Sequence, residues 1–201
     1  VRSAFGLQGQ KCSACSRIYI EEPVYDALVG RIVELTEKLA IGDPTERSVY
    51  LGPVINQNSY QEYQQFTEEL AQAGTILTGG KVLSDGAFGK GFFCMPTIAA
   101  DVPLHHRLWK QEMFLPISMV TKVKDLAEAL RLANDTEYGL TAGFYGAEDE
   151  MQTFFDQIQA GVSYANRPQG ATTGAWPGFQ PFGGWKGSGS SGKNAGGHYY
   201  L

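Results

Sequence analysis

Ile117-Ser118-Met119-Val120-Thr121-Lys122-Val123, followed by Asp125 to Ala133 and then Thr141 to Tyr145, is the stretch whose reading decides the fold. The first run is apolar and β-branched enough for a strand, the second carries a helical pattern, and the third reads as a strand again. Continuing toward the C-terminus, Glu148 to Gln159 predicts a helix buried through Met151, Phe154, Phe155 and Ile158, and Val162 to Tyr164 a strand after Gly161. Toward the N-terminus, Thr75 to Thr78 reads as a short strand, Phe92 to Ile98 as extended, and Lys81 to Gly91 as a polar, glycine-rich surface loop. Two helices precede them. Pro23 to Leu39 has apolar residues at Val24, Leu28, Ile32, Leu35 and Leu39, and about Tyr60 to Ala73 has Tyr63, Phe66, Leu70 and Ala73 on one side. Strands alternating with helices imply crossover connections and a mostly parallel sheet with helices on both faces. The expected fold class is therefore α/β, a three-layer αβα sandwich.

The bulk composition narrows the function classes. The chain has 201 residues, 43% of them hydrophobic and 18% charged, so it can bury a core and is not a disordered segment. Net charge is −5, and no Lys/Arg block provides the electrostatic footprint of a nucleic-acid or anionic-membrane binder. No apolar run is long enough to span a bilayer, and no charged-then-apolar leader opens the chain. Three cysteines argue against a disulfide framework and for a reducing, cytoplasmic setting. Asn134-Asp135-Thr136 matches the glycosylation acceptor pattern, which without a secretory signal reads as chance.

The chemistry-bearing candidate is Gly9-Gln10-Lys11-Cys12-Ser13-Ala14-Cys15-Ser16-Arg17, where a cysteine sits between a glycine-bearing turn and the β-favouring run Ile18-Tyr19-Ile20. Such a junction can expose a thiol nucleophile beside free backbone N–H groups. Two other readings stand beside it. Unpaired cysteines are often small buried hydrophobes, and Cys12 and Cys15 form a CxxC pair that could serve thiol exchange or zinc. A zinc site wants four ligands, and Cys94, His105, His106 and His198 lack the spacing. A thioredoxin-like pair opens a helix after a strand, whereas here a strand follows. His105-His106-Arg107 has no partner pattern and reads as surface or interface.

Gly187 to Gly192 matches a dinucleotide fingerprint, and Gly187 to Lys193 nearly matches a phosphate loop. Neither has the buried strand before it or the amphipathic helix after it that the mechanism needs, so both are set aside. Glu112-Met113-Phe114-Leu115-Pro116 can set a carboxylate and a flat ring at the entrance of the 117–123 strand. The alternative is a solvated Glu beside a core Phe.

Several of these runs fall into one order. They are Gly9-Gln10-Lys11-Cys12, Ile41-Gly42-Asp43-Pro44, Leu51-Gly52-Pro53-Val54-Ile55, Pro96-Thr97-Ile98 and Glu112 to Pro116, then Ala133 to Leu140, Ala160-Gly161-Val162 and Pro181-Phe182-Gly183-Gly184. In this order the chain resembles the catalytic domain of the aldehyde dehydrogenase superfamily over nearly its whole length. The Gly9–Arg17 run, with Thr173-Gly174-Ala175, is most similar to members that oxidise L-glutamate γ-semialdehyde.

The resemblance implies Cys12 as nucleophile, its backbone N–H helping to hold an oxyanion. It implies NAD as cofactor, with Glu112 accepting from the nicotinamide ribose and Phe114 packing close by. Ser13, Gly174 and Ala175 would anchor a substrate α-carboxylate, and Phe182 would flank the aldehyde stem. It implies no metal, a small aldehyde as the partner molecule, no nucleic acid or membrane partner, and a homo-oligomer. Leu115 stands where the superfamily usually has glycine, and Ala175 where serine is common. Residues 1–201 would form the catalytic domain, with the dinucleotide-binding half expected ahead of Val1, so that the chain alone would not turn over aldehyde.

Overall fold

The computed structural model describes residues 1–168, 172–173 and 182–189, which divide into two compact units, 1–122 and 123–201. In the first unit a short helix α1 (Arg2–Phe5) precedes strand β1 (Arg17–Glu21), helix α2 (Glu22–Glu37) and helix α3 (Gln57–Ala73). Strands β2 (Thr75–Thr78), β3 (Val82–Leu83), β4 (Phe93–Cys94), β5 (Thr97–Ala100) and β6 (Ile117–Val123) follow. The sheet order is β1-β6-β5-β2. Its centre is parallel, Thr97 opposite Ile117 and Ala99 opposite Met119, while β2 joins β5 antiparallel at one edge.

Side-chain alternation along the central strands builds the layers. Ile98, Ala100 and Val120 pack with Tyr25 and Val29 of α2, and Ala99, Ile117 and Met119 pack with Tyr63, Phe66 and Leu70 of α3. Successive strand residues point to opposite faces, so β5 and the first half of β6, covered on both, are mostly apolar, with Thr97 and Ser118 as buried polar exceptions. The expected three-layer α/β architecture is what forms. Burying Leu70 completely contributes about 1.5–3 kcal/mol.

Helix boundaries follow local chemistry. Asn56 caps α3 through its side chain, which accepts from the Ser59 N–H at 2.9 Å, and Pro23 sits in the first turn of α2, where no N–H is missed. The α2 stripe differs from expectation. Tyr25, Val29 and Thr36 are its buried residues, while Val24, Leu28 and Leu35 are exposed. The expected and observed faces lie about one residue apart on the helix, and both carry enough apolar residues that periodicity alone does not choose. The 81–91 segment is also more ordered than a plain loop. Val82 and Leu83 pair antiparallel with Cys94 and Phe93, and a 3-10 helix spans Gly86–Lys90.

The second unit contains α4 (Leu126–Asn134), β7 (Tyr138–Gly139), β8 (Thr141–Phe144), α5 (Met151–Gln157), β9 (Val162–Ala165) and β10 (Trp185–Lys186). Strands β8 and β9 are parallel, and β10 pairs antiparallel with β7. Asp125 caps α4 by accepting from the Glu128 N–H, and that bond holds its carboxyl below the ordinary value. Leu130, Phe154 and Ile158 form the core, with the Phe144 and Phe154 rings stacked at 5.2 Å. The helix expected over 148–159 begins as a 3-10 turn and stops at Gln157, because Ile158 turns extended. Phe155, expected in the core, is 45% exposed, since Phe154 takes the inward position one residue away.

Asn134 has an internal task. Its side chain donates to the Gln157 carbonyl and accepts from the Gln159 N–H, both at 2.8 Å, which closes the α5 exit onto the end of α4. The glycine run after β10 starts from an exposed two-residue strand, with Gly187 N–H bonded to the Glu137 carbonyl. No helix among the described residues is long and apolar enough to cross a membrane.

Candidate active site

Phe5, fully buried, ends α1, and the chain then makes three consecutive left-handed residues, Leu7 (φ 54°), Gln8 (φ 57°) and Gly9 (φ 68°). For Leu7 and Gln8 that conformation costs roughly 1–2 kcal/mol each, so the surroundings must hold it. Two glutamine side chains do so. The Gln8 amide oxygen, turned to satisfy its neighbours, accepts from the Gly52 N–H at 2.6 Å, and Gln10 Oε1 accepts from the Ile55 N–H at 3.1 Å. The loop is thereby fastened to residues 52–55, another of the runs that the resemblance rests on.

Gly9 faces the opposite side. A Cβ there would stand 2.2 Å from the Leu115 carbonyl oxygen, so only glycine lets the two backbones meet. Beyond this contact Ala14 N–H bonds to the Lys11 carbonyl at 3.0 Å, making a turn with Cys12 on its exposed side and Ser13 buried beside it. The far side of the turn is held at Cys15. Its N–H donates to Ser3, and its carbonyl accepts from the buried Ser118 hydroxyl at 2.6 Å. One residue on, the Ser16 carbonyl accepts from the Met119 N–H at 2.9 Å.

The three thiols separate by environment. Cys12 is exposed, Cys15 is half-buried against the α2-side core, and Cys94 is buried. Burial pushes the Cys15 thiol up and Cys94 up to about 12, so at neutral pH both stay protonated and poorly nucleophilic. Cys15 Sγ also contacts the Arg17 carbonyl at 3.5 Å. Among the described residues no group of three or more His, Cys, Asp or Glu side chains is placed to hold a metal ion.

The segment before β6 alternates sharply. Glu112 and Phe114 face solvent, while Met113 and Leu115 enter the α3-side core. Phe114 itself is left-handed, φ 56°, and 43% exposed. It is not a core phenylalanine. Holding a bulky residue there costs of order 1–3 kcal/mol, and such strain concentrates where a side chain must be presented. Leu115 places its side chain in the core while its carbonyl meets Gly9.

The first unit therefore brings the Cys12 loop and the Glu112–Pro116 segment together through the Gly9–Leu115 contact. Ser13, expected as a substrate contact, is buried and has interactions of its own. Phe182 lies half-buried in the second unit, whereas Gly174 and Ala175 fall outside the described residues. His105 is exposed, whereas the largely buried His106 has Nε2 3.2 Å from Glu69 on α3 and Nδ1 accepting from the Leu108 N–H. Ser118 had no sequence signal beyond a polar residue inside an apolar strand. Gln8 and Gln10 were visible only as letters flanking Gly9.

In the second unit Gly161 approaches the Gly183 carbonyl so closely that a Cβ would lie 1.8 Å from its oxygen. The runs Ala160-Gly161-Val162 and Phe182-Gly183-Gly184 are thus neighbours in space, as the two loops of the first unit are.

Comparison with known proteins places this arrangement. The aldehyde dehydrogenase family profile matches residues 1–201. A 1-pyrroline-5-carboxylate dehydrogenase of Geobacillus sp. (strain WCH70) is 44% identical over 202 residues, covering 100% of this chain and 38% of the relative. Among solved structures, a Thermus 1-pyrroline-5-carboxylate dehydrogenase with bound NAD superposes with TM-score 0.85 at 39% identity, over 92% of this chain and 34% of that one. Aldehyde dehydrogenase 21 from Physcomitrella patens, in complex with the reaction product succinate, gives TM-score 0.86 at 29% identity, over 96% of this chain and 38% of that one. The chain spans 38% of the length of the curated relatives it matches.

Proposed function

This chain belongs to the aldehyde dehydrogenase family, and from that premise we propose that it carries the thiol of an NAD-dependent enzyme oxidising L-glutamate γ-semialdehyde to L-glutamate. The observation that carries this reading is that Cys12 alone of the three thiols is exposed, on a loop clamped to the segment bearing Glu112 and Phe114. In the proposed reaction Cys12 Sγ attacks the aldehyde carbon to give a thiohemiacetal. The nascent oxyanion is stabilised by backbone N–H donors, that of Cys12 among them. NAD, when bound, supplies the hydride acceptor that makes oxidation to the thioester possible. Water then cleaves the thioester, releasing the carboxylic acid and restoring the thiol.

The exposed pair Glu112 and Phe114 suits such a cofactor chemically. A carboxylate can accept from ribose hydroxyls, and an aromatic face can border a flat ring. From the resemblance, Ser13, Gly174 and Ala175 are each proposed as contacts for the substrate's α-carboxylate and Phe182 for its aliphatic stem; Gly174 and Ala175 lie outside the described residues. Backbone N–H groups can bind a carboxylate without burying a second positive charge. The similarity to 1-pyrroline-5-carboxylate dehydrogenases supports a role in proline degradation. The full-length protein is proposed to be a homo-oligomer.

A substrate panel on the full-length enzyme tests the assignment, comparing glutamate semialdehyde with the same aldehyde lacking its α-carboxylate. A kcat/KM at least ten times higher for the carboxylate-bearing substrate is expected. Equal values would overturn the substrate, and oxidation surviving Cys12→Ala would overturn the nucleophile.

A further inference from the structure

Ser118 stands out in the strand that ends the Glu112–Pro116 segment. Its neighbours Ile117, Met119 and Val120 are buried apolar residues, and Ser118 is itself fully buried, on the face that carries Ile98 and Val120. A buried hydroxyl costs free energy unless it is bonded, so its partner deserves a reason. That partner is neither its own strand nor the α2 helix, but the Cys15 carbonyl at 2.6 Å, three residues after the exposed thiol. Cys15 is in turn fixed by its N–H to Ser3, and the Ser16 carbonyl by Met119 N–H.

We propose that Ser118 is a positioning residue for the Cys12 thiol, holding the downstream end of the nucleophile turn on strand β6 while Gly9 holds the upstream end against Leu115. The inference rests on the reading of Cys12 as nucleophile. Within the turn between Gln10 and Cys15, Ala14 N–H bonds to the Lys11 carbonyl and Ser13 is buried, while the two ends lie against Leu115 and Ser118. Both ends are gripped by residues 115–119, the same segment that presents Phe114. One rigid element thus carries the ring proposed to border the cofactor and sets the direction of the thiol. Reactions that depend on near-attack geometry lose rate when such support slackens, even with every reacting group present.

The test is made on the full-length enzyme with Ser118→Ala, Ser118→Thr and, as a control in the core of the second unit, Leu130→Val. Each is followed by kcat, by KM for aldehyde, by Tm, and by the rate of Cys12 alkylation with iodoacetamide, read by peptide mass. Loss of one hydrogen bond from Ser118→Ala should lower kcat about 3- to 10-fold with little change in KM. It should also change the Cys12 alkylation rate by at least about twofold. Ser118→Thr, which keeps the hydroxyl, should restore most of both. Leu130→Val removes a buried methylene outside the 115–119 segment and should lower Tm without moving either rate. If Ser118→Ala lowers Tm but leaves kcat and alkylation as in the parent, or if Leu130→Val shifts them equally, Ser118 is only a core residue and the proposal falls. Oxidation that persists in Cys12→Ala is a separate result, one that overturns the nucleophile instead.

Discussion

Gly9 and Leu115 meet backbone against backbone. A Cβ on Gly9 would lie 2.2 Å from the Leu115 carbonyl oxygen and 2.6 Å from its carbon, at a φ of +68° that disfavours any other residue. The contact joins the loop before the exposed thiol to the segment that presents Glu112 and Phe114. It also explains how a leucine can occupy position 115: the contact uses that residue's carbonyl, leaving its side chain to the core.

Gly9→Ala therefore has no cheap relaxation, because the atom it meets is main chain. We expect a loss on the order of 2–3 kcal/mol, or a fall in Tm of roughly 4–10 °C, together with loss of most oxidation. Differential scanning calorimetry checks the first and NAD reduction by the full-length enzyme the second. A variant with parental Tm and activity would mean that the two loops separate freely.

Cysteine reactivity should follow exposure. With sub-stoichiometric iodoacetamide at neutral pH, label is expected on Cys12 first, then slowly on Cys15, and last on Cys94. In the full-length enzyme Cys12→Ala should abolish oxidation and Cys15→Ala should retain much of it. Peptide mapping reads the order, and equal losses from the two variants would remove the ground for choosing Cys12.

Alkaline pH should destabilise the fold through its buried thiols. Cys94 rises from an ordinary value near 9 to about 12 in the folded protein, because burial penalises the thiolate. Between those values the unfolded chain has lost a proton that the folded chain still holds, so stability falls as pH rises. Its contribution is complete below about pH 9 and lost on approaching 12. Burial raises Cys15 too, which acts with the same sign. Urea unfolding from pH 8 to 11 should show a declining stability, with a shallower slope in Cys94→Val. An unchanged slope in that variant would place the effect elsewhere.

Tyr63 offers a stability test remote from the thiol. Its buried hydroxyl bonds the Met95 carbonyl and Thr97 Oγ1, both at 2.7 Å, and Thr97 Oγ1 also receives the Gly80 N–H. Tyr63→Phe should cost about 1–2 kcal/mol, seen as a lower urea midpoint at constant m-value. Kinetic constants should stay within twofold of the parent. A changed m-value would point instead to a looser native state.

Much of the fold was legible because its signals are local. The 117–123 and 75–78 strands and the helix opened by Asp125 follow from short-range pattern and capping. The misreadings share a cause. For α2 and for Phe155, two adjacent faces were both apolar, and which one turns inward is decided by the sheet it packs on, not by the helix. The pairing of Val82-Leu83 with Phe93-Cys94 depends on a partner ten residues away. Of the site, the Gly9–Arg17 run and Glu112 to Pro116 could be found as motifs, but not the geometry that relates them.

By itself, the sequence determined the α/β class, the order of its longer helices and strands, the family, and the candidate thiol, because composition, periodicity and motif order survive without coordinates. Only the tertiary structure decided which of Cys12 and Cys15 faces solvent, that Phe114 is presented and not buried, that Gly9 meets the Leu115 carbonyl, and that Ser118 bonds the Cys15 carbonyl. Those depend on backbone approach and burial between segments a hundred residues apart, and no local pattern encodes a distance.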